Sequence, residues 1–307
     1  MRRILIPSII VIASVLLIAY AVTQAPLHKK NTLVEHSRVP SEIQITEEKG
    51  ASSQQPSAPP TSPQPSLKIA VSPEEEKIAL CIKRLNSDDI KESQKAAQEI
   101  IALGDAAVGQ LVKALSSKSL FLKGQAVFLL GKIGNNAAVG PLTELLRNND
   151  NAYIRRNAAQ ALGNMHDSQA YDALVTGTQD NDPGVRVNAV TSLGNSGELS
   201  ASQVLVGMMR AEKEMSVRFA LVQALGELKD PLAAAPLATE LALEADRIYK
   251  NDIARALGKI GNPVALSALR EYLAELKKLN MPEPMLKSQI EMAVTIVEEA
   301  IVKINQT

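Results

Sequence analysis

The stretch of residues 153–163, YIRRNAAQALG, decides the fold of this chain. Its apolar residues Ile154, Ala158 and Leu162 return at the spacing of one face of an α-helix, so the stretch predicts an amphipathic helix. Ala158 is small enough to let this helix lie close to a neighbour. Gly163 has no side chain, so the backbone of a neighbouring helix can approach it closely. The packing energy gained from that approach must offset the cost of glycine inside a helix, about 1 kcal/mol.

The features of this stretch recur through most of the chain with a period of 31 or 32 residues. Three markers keep the period: the glycine of a Leu-Gly pair, a basic residue eight places before it, and a leucine in a second apolar segment. The glycines are Gly131, Gly163, Gly194, Gly226 and Gly258, the basic residues are Lys123, Arg155, Arg186, Arg218 and Lys250, and the leucines are Leu111, Leu142, Leu174, Leu205, Leu237 and Leu269. A repeat of this length with two amphipathic helices predicts an all-α fold, an α-solenoid of about six units stacked with a right-handed sense.

The segment between the two helices of a unit carries the signals of a helix end and a helix start. A glycine three residues after the Leu-Gly glycine predicts a left-handed C-cap. An Asp or Asn at the start of the second helix predicts an N-cap. In two units a proline follows at the first helical position. These residues are Gly134, Gly197 and Gly261, then Asp167, Asp230 and Asn262, then Pro231 and Pro263. The second helices are expected over residues 141–147, 170–179, 202–210, 232–243 and 264–276.

Capping helices are predicted at both ends of the repeats, so the repeat domain spans residues 72–307. Ser72-Pro73-Glu74-Glu75 has the pattern of a capping box and opens an N-terminal helix. Pro282-Glu283-Pro284 interrupts the chain before a last helix whose apolar stripe runs from Leu286 to Ile304. That helix lacks the Leu-Gly pair and the basic marker, so it is expected to cover the final repeat.

Two stretches carry a family resemblance: VRVNAVTSLG at residues 185–194 and RALGKIGNPVA at residues 255–265. They resemble HEAT repeats of the PBS-lyase-like, or phycobilin-lyase-type, subclass, and the resemblance covers about residues 88–278. It implies a helical scaffold. Proteins with such repeats serve as scaffolds, adaptors and chaperone-like lyases, or, in the deoxyhypusine hydroxylase type, as metal enzymes with repeated His-Glu pairs.

Composition and histidine placement exclude several classes of function. The formal net charge is zero, and the chain has no Trp, three Phe and five Tyr, so no basic, aromatic-rich groove for nucleic acid is expected. None of the three histidines is followed by Glu: His28 and His36 precede the repeats and His166 lies in a turn. We therefore predict no catalytic, metal or cofactor site and no enzyme activity. The single cysteine, Cys81, is expected to be a small buried residue.

The N-terminal region predicts the cell envelope as the location. In residues 1–25 a basic pair, Arg2 and Arg3, precedes an apolar run, which fits either a signal peptide cleaved after Ala21 or a single transmembrane anchor. Residues 26–71 are rich in Pro, Ser and Gln and predict a disordered tether. The expected protein is a single-pass inner-membrane protein with an exported repeat domain, in contact with the membrane through its N-terminal segment only. If the leader is cleaved, it is secreted or periplasmic.

The periodic basic residues allow two interpretations. As a column of cations they could bind an acidic partner. Alternatively they could form an Asp-Arg ladder between units, with Asp150 before Arg155, and Asp180 and Asp182 before Arg186. The sequence favours the ladder.

The outward positions of the second helices are the better candidates for partner binding, because these helices are expected to line a concave surface. The candidates are Thr143, Glu144, Arg147, Val175, Thr176, Gln179, Val206, Arg210, Thr239, Arg270 and Glu271. Exposed Val175 and Val206, with Met208 and Met209 nearby, suit a protein or peptide. The predicted function is a non-catalytic protein–protein interaction scaffold or adaptor. The alternative is a chaperone-like or bilin-lyase-like protein that acts on a chromoprotein.

Overall fold

The structure, a computed structural model, describes residues 72–279 and 284–306. The predicted leader of residues 1–25, the tether of residues 26–71 and the break at Pro282 and Glu283 lie outside these residues. Every regular element in the described ranges is helical, so the predicted all-α solenoid is confirmed. None of the described helices combines the length and the apolar character that a membrane span requires.

The helices are numbered α1 to α14 in chain order. Their bounds are α1 Pro73–Leu85, α2 Ile90–Leu103, α3 Val108–Ala114, α4 Leu120–Ile133, α5 Val139–Asn148, α6 Ala152–Leu162, α7 Ser168–Gly177, α8 Pro183–Asn195, α9 Ser200–Met209, α10 Met215–Leu228, α11 Ala234–Leu243, α12 Arg247–Ile260, α13 Leu266–Lys278 and α14 Pro284–Gln306. Short 3-10 turns occupy Gly104–Ala107, Asn136–Ala138, Pro231–Ala233 and Pro263–Ala265. The even-numbered helices α2 to α12 are the first helices of the units, and the odd-numbered helices α3 to α13 are the second helices.

The helices form two layers with one continuous core between them. First helices pack against first helices from α4 through α12, and α14 continues that layer by packing against α12. Each second helix packs most extensively against the first helix of the following unit, for example α5 against α6 and α13 against α14. The main antiparallel pair therefore crosses the unit boundary expected from the repeats. The six periodic leucines are at most 3% exposed and fill the space between the layers.

The Leu-Gly glycines allow neighbouring first helices to touch through their backbones. A Cβ atom added at Gly131 would lie 2.8 Å from the Cα atom of Ala161, and one added at Gly194 would lie 2.6 Å from the Cα atom of Ala224. Both distances are too short for a real side chain, so the predicted close approach is confirmed. The remaining contacts of the series join Gly163 to Ser192, Gly226 to Ala256, and Gly258 to Ala300 of α14.

The turns between first and second helices have the predicted capping pattern. Gly134, Gly197 and Gly261 have φ angles of 72°, 74° and 74°, in the left-handed region that favours glycine. Lys229 holds the same position in its unit with a φ of 53°. Asp167, Asp230 and Asn262 each accept a hydrogen bond from the backbone amide two residues later, which confirms the three N-caps. Pro231 and Pro263 begin 3-10 turns, so the α-helices there start at Ala234 and Leu266, two residues later than the expected ranges.

Both predicted end helices are present. At α1 the Ser72 hydroxyl accepts from the Glu75 amide while the Glu75 carboxylate accepts from the Ser72 amide, which confirms the capping box. Cys81 is buried on the inner face of this helix. At the other end α14 buries Ile290, Ala293, Val297, Ala300 and Ile304 against the final unit.

We expect Gly194→Ala to lower the free energy of unfolding by about 1–3 kcal/mol, because the added methyl group must displace the backbone of α10 at Ala224. The matched control is Gly207→Ala, also inside a helix, where an added Cβ atom meets nothing within 4 Å. Gly207→Ala should raise the free energy of unfolding by about 0.5–1 kcal/mol through helix propensity. Urea denaturation monitored by circular dichroism measures both, and stabilisation by both substitutions would contradict the close approach.

Candidate functional site

The predicted binding row on the second helices is mostly solvent-exposed. Its exposed members are Glu144, Arg147, Thr176, Gln179, Arg210, Thr239, Arg270 and Glu271. Thr143, Val175 and Val206 are half-buried, and the two valines pack against the core. The expectation that Val175 and Val206 are freely exposed was therefore wrong, and Met208 and Met209 are buried. Their burial results from the packing of each second helix onto the next first helix, which covers more than one stripe of its surface.

The arginines of this row have unused donors. Arg147, Arg210 and Arg270 are exposed and form no ion pair with any residue in the described ranges. Other polar members are already engaged within their own helix, since Glu144 accepts a hydrogen bond from Asn148 and Glu271 accepts one from Ser267. The three guanidinium groups are therefore the row's strongest available groups for an acidic or carbonyl-bearing partner.

A cleft between α9 and α11 brings three members of the row together. Val206, Arg210 and Thr239 line it. The cleft exists because Gly207, Ala235 and Pro236 place no long side chain between the two helices. Its additional walls are Met209, Leu243 and the charged residues Glu212, Arg218 and Glu240, and its volume is about 680 Å³. Leu243 is 78% exposed, which marks an apolar edge that the sequence analysis did not include.

The two layers differ in how closely their helices pack. The first helices approach one another most closely, through the glycine contacts described above, whereas neighbouring second helices are in looser contact. That the row on the second helices lines a concave surface stays a prediction.

The periodic basic residues form an ion-pair ladder between units. Arg155 makes a bidentate pair with Asp180 at 2.8 and 2.9 Å, and Arg186 makes one with Glu212 at the same two distances. Arg218 reaches Glu240 and Glu244. The last pair of the ladder joins Lys250 to Glu275 at 2.8 Å. The ladder that the sequence favoured is therefore present at four of the five positions; Lys123 forms no ion pair within the described residues.

The acidic partners differ from those expected. Each carboxylate comes from the connection or second helix that lies after the basic residue along the chain, about 25 residues later, and not from the preceding turn. The preceding turn supplies backbone carbonyl oxygens instead: Arg155 donates to Asn149 and Asp150, and Arg186 donates to Asp180 and Asn181. One guanidinium group thus ties two successive connections together.

The ladder favours the ionised forms of Glu212 and Asp180. Two hydrogen bonds from Arg186 are the largest influence on the pKa of Glu212 and lower it, while burial opposes them. At Asp180 burial is the largest influence and raises the pKa, but hydrogen bonds from Arg155 and from the Asp182 amide together outweigh it. The pKa of both carboxyl groups is therefore below its ordinary value in the folded protein.

The structure describes His166 and the single cysteine, Cys81. His166 is exposed in its turn, and the described residues contain no group of three or more His, Cys, Asp or Glu side chains arranged to hold a metal ion. The Cys81 thiol lies 3.3 Å from a carboxylate oxygen of Glu99, and burial, then this hydrogen bond, raises the pKa of the thiol.

We expect Arg186→Ala to lower the free energy of unfolding by about 1–3 kcal/mol at pH 7, because Glu212, with its side chain 8% exposed, loses its cation. The pKa of Glu212 is lowered in the folded protein. The ion pair therefore stabilises the folded state fully at pH values above the pKa of Glu in the unfolded chain, about 4.3. That stabilisation is lost as the pH falls through the lower pKa of the folded state. The difference between wild type and variant should therefore shrink at pH 3. Urea denaturation at both pH values measures it.

The control for this substitution is Lys277→Ala, which removes an ion pair whose side chains are 55% and 50% exposed. It should change the free energy of unfolding by no more than about 0.5 kcal/mol. Hydrogen exchange should show that Arg186→Ala increases opening mainly around residues 180–226, since each unit depends on its neighbours. An effect of Arg186→Ala as small as that of the control would contradict a stabilising ladder.

Comparison with known proteins agrees with this architecture. The HEAT repeats family matches residues 78–156 and 140–226, and the PBS lyase HEAT-like repeat family matches residues 251–275. Deoxyhypusine hydroxylase-B of Oryza sativa subsp. japonica is 37% identical over 81 residues, which are 26% of this chain and 27% of the rice protein. The chain thus spans about a quarter of the length of that relative.

Among solved structures, yeast importin-beta is similar with a TM-score of 0.55 and 16% identity, over 79% of this chain and 37% of importin-beta. The phycocyanin lyase complex of CpcE and CpcF from Nostoc sp. has a TM-score of 0.46 and 20% identity, over 48% of this chain and 98% of that one. The importin-beta likeness supports the fold alone. The family matches show HEAT repeats over residues 78–226 and a PBS lyase HEAT-like repeat at residues 251–275.

Proposed function

We propose that this chain is a non-catalytic protein–protein interaction scaffold or adaptor. The observation that carries the proposal is the cleft between α9 and α11 with the unpaired guanidinium of Arg210 at its edge. The lining of the cleft combines the apolar side chains of Val206, Met209 and Leu243 with polar and charged groups, including three ladder residues, Glu212, Arg218 and Glu240. That arrangement is typical of surfaces that bind a protein segment.

The unpaired arginines extend the same surface along the stack. Arg147 lies on α5, Arg210 lies directly after the end of α9, and Arg270 lies on α13, so cations appear on widely separated second helices. A partner that carries carboxylates at several places along its length would meet more than one of them. Arginine and exposed apolar groups together favour a protein over an uncharged small molecule.

A non-catalytic role is supported by the sequence. The rice relative is a hydroxylase by name, and enzymes of that type use repeated His-Glu pairs, but none of the three histidines of this chain is followed by Glu. The alternative is a chaperone-like or bilin-lyase-like role on a chromoprotein. The match of residues 251–275 to the PBS lyase HEAT-like repeat favours that alternative.

The proposal includes export and attachment to the membrane. It rests on the sequence of residues 1–25, where Arg2 and Arg3 precede the apolar run, and on the proline-rich residues 26–71. In this arrangement the N-terminal segment is the membrane contact and the repeats lie outside the cytoplasm. A leader cleaved after Ala21 would leave the same domain secreted or periplasmic.

We expect the double charge reversal Arg147→Glu with Arg210→Glu to reduce partner capture at least about tenfold, which corresponds to 1.4 kcal/mol. The measurement is in-cell crosslinking of the full-length chain and then quantitative mass spectrometry, with the circular dichroism spectrum of the variant unchanged. The control is Lys277→Glu, an exposed charge reversal on α13 outside the row. Equal capture by both variants would refute the role of the row. Covalent attachment of a bilin to an apo-protein on incubation with this chain, seen by absorbance, would favour the lyase-like alternative.

We expect an alkaline phosphatase fused after Ser72 to be active, because the leading basic pair retains the N-terminus in the cytoplasm and directs the rest of the chain across the membrane. A fusion to the repeats alone, from which residues 1–71 are removed, is the matched control and should be inactive. An inactive full-leader fusion of normal abundance would reverse the proposed orientation.

A further inference from the structure

One part of the stack has cations and no acids. Residues 106–143, which include α3 and α4, contain no Asp or Glu, although the chain has 33 acidic residues. The same stretch contains four lysines: Lys113, Lys118, Lys123 and Lys132. Lysine ion pairs within the described ranges belong to Lys250, Lys259 and Lys277, so these four have no carboxylate partner there. The chain as a whole is neutral, and the positive charge is therefore local to this helix pair.

Three of the four lysines lie around the start of α4, together with two exposed apolar side chains. Lys113 is in the last turn of α3, Lys118 is in the connection and Lys123 is in the first turn of α4. The first two residues of α4 are Leu120 and Phe121, which are 44% and 50% exposed. We call these five residues the basic-apolar patch. A half-buried, unpaired cation beside exposed apolar groups indicates a surface that is covered by something anionic.

Tyr153 of α6 extends the apolar part of this patch. Gly124 follows Phe121 by three residues and so lies on the same face of α4. A Cβ atom added at Gly124 would lie 3.1 Å from the ring of Tyr153, which places that ring over this face. Tyr153 is 53% exposed. Tyrosine is enriched at membrane interfaces because one end of its ring is apolar and the other is polar.

Carboxylates are present on the two neighbouring connections. The Ser119 hydroxyl donates to the Asn86 side chain at 2.8 Å, which brings the connection between α1 and α2 beside the patch. That connection carries exposed Asp88 and Asp89, and the connection after α5 carries exposed Asp150. Cations still outnumber these acids across the three connections and their flanking turns, since they include Lys91, Lys113, Lys118, Lys123 and Arg147.

The chemistry of the patch fits an anionic lipid surface better than an acidic protein. Elements that lie on membranes combine Lys or Arg with exposed Phe and Leu, and lysines near an anionic bilayer are attracted to its headgroups. Protein interfaces are depleted in lysine and use arginine among their anchors. Residues 106–143 contain no arginine.

The position of the patch in the stack supports the same occupant. The predicted tether joins the described residues at Ser72, directly before α1, and α1 packs against α2 and α3. The patch therefore lies at the tethered end of the stack. A tether of this kind holds its domain near the attachment point at an effective concentration of about millimolar order. A weak contact with the membrane is then sufficient to be populated.

We propose that the basic-apolar patch is a peripheral contact with an anionic lipid bilayer. Leu120 and Phe121 enter the headgroup region, and the lysines lie against the anionic headgroups. The inference rests on the membrane attachment in the proposed function. The sequence predicts membrane contact through the N-terminal segment only, and the patch adds a second contact. With the tethered end on the bilayer, the cleft between α9 and α11 lies further along the stack and stays accessible.

The test uses tryptophan fluorescence, because the sequence contains no Trp. Phe121→Trp gives the full-length chain a single fluorophore, and the chain is incorporated through its N-terminal segment into nanodiscs whose lipids have brominated acyl chains. In discs that contain phosphatidylglycerol the emission should be quenched at least about twofold relative to discs with unbrominated lipid. In discs of phosphatidylcholine alone the quenching should be weaker, since the headgroups there have no net charge.

The matched control is Ile248→Trp on α12. Ile248 also lies two residues before a periodic basic residue and is 69% exposed, but its connection carries Glu244 and Asp246. Its emission should not be quenched. Lys118→Glu with Lys123→Glu, added to Phe121→Trp, should remove the difference between anionic and neutral discs. Circular dichroism checks the fold of each variant, and Leu120→Trp replaces Phe121→Trp if the latter unfolds.

Three outcomes would overturn the membrane contact: no quenching at residue 121 in anionic discs, equal quenching at residues 121 and 248, or quenching that survives both lysine reversals. A polyglutamate peptide that shifts the emission of Phe121→Trp when the bilayer does not would assign the patch to an acidic protein and refute the proposal. If quenching fails while the alkaline phosphatase fusion is active, attachment remains and the second contact is refuted. A chain that does not enter the discs would refute attachment and this contact with it, whereas the scaffold function is tested separately by Arg147→Glu with Arg210→Glu.

Discussion

The contact between each Leu-Gly glycine and a small residue of the next first helix sets the spacing on which the stack depends. At Gly194 and Ala224 the two backbones approach so closely that no side chain fits between them. Each such glycine costs about 1 kcal/mol of helix propensity, which dispersion and burial along the whole helix pair must offset. Because the helices then lie at one distance, the turns, the leucine core and the charged connections can repeat with the same geometry in every unit.

The ion-pair ladder acts at the other side of each unit, where the connections would otherwise be held only by their caps. Arg186 joins the connection before it through carbonyl oxygens and the connection after it through Glu212. Partly buried, bidentate pairs of this kind orient as well as attract, and their carboxylates stay ionised well below neutral pH. The glycine contacts within a layer therefore fix the distance between neighbouring first helices. The arginine contacts between connections fix the rotation of one unit relative to the next.

Local signals predicted most of the fold, and long-range consequences were harder to predict. Helices, caps and left-handed turns depend on a few neighbouring residues, so Gly134 and Asp167 could be assigned from the sequence. The partner of Arg155 could not, because Asp180 is far along the chain and becomes adjacent only after the units stack. Burial of Met208 required the packing of each second helix onto the following unit.

The glycine contacts also give the stack a direction. From α6 to α12 each first helix presents a glycine to the next helix of the layer and a small side chain to the previous one, so the two sides of such a unit are unlike and complementary. Such a head-to-tail interface has no symmetry of its own and can continue from one molecule to the next as a filament. The helix α14 ends the series: it offers Ala300 to Gly258 but contains no glycine to receive another helix. The same helix therefore covers the final core and closes the series of glycine contacts.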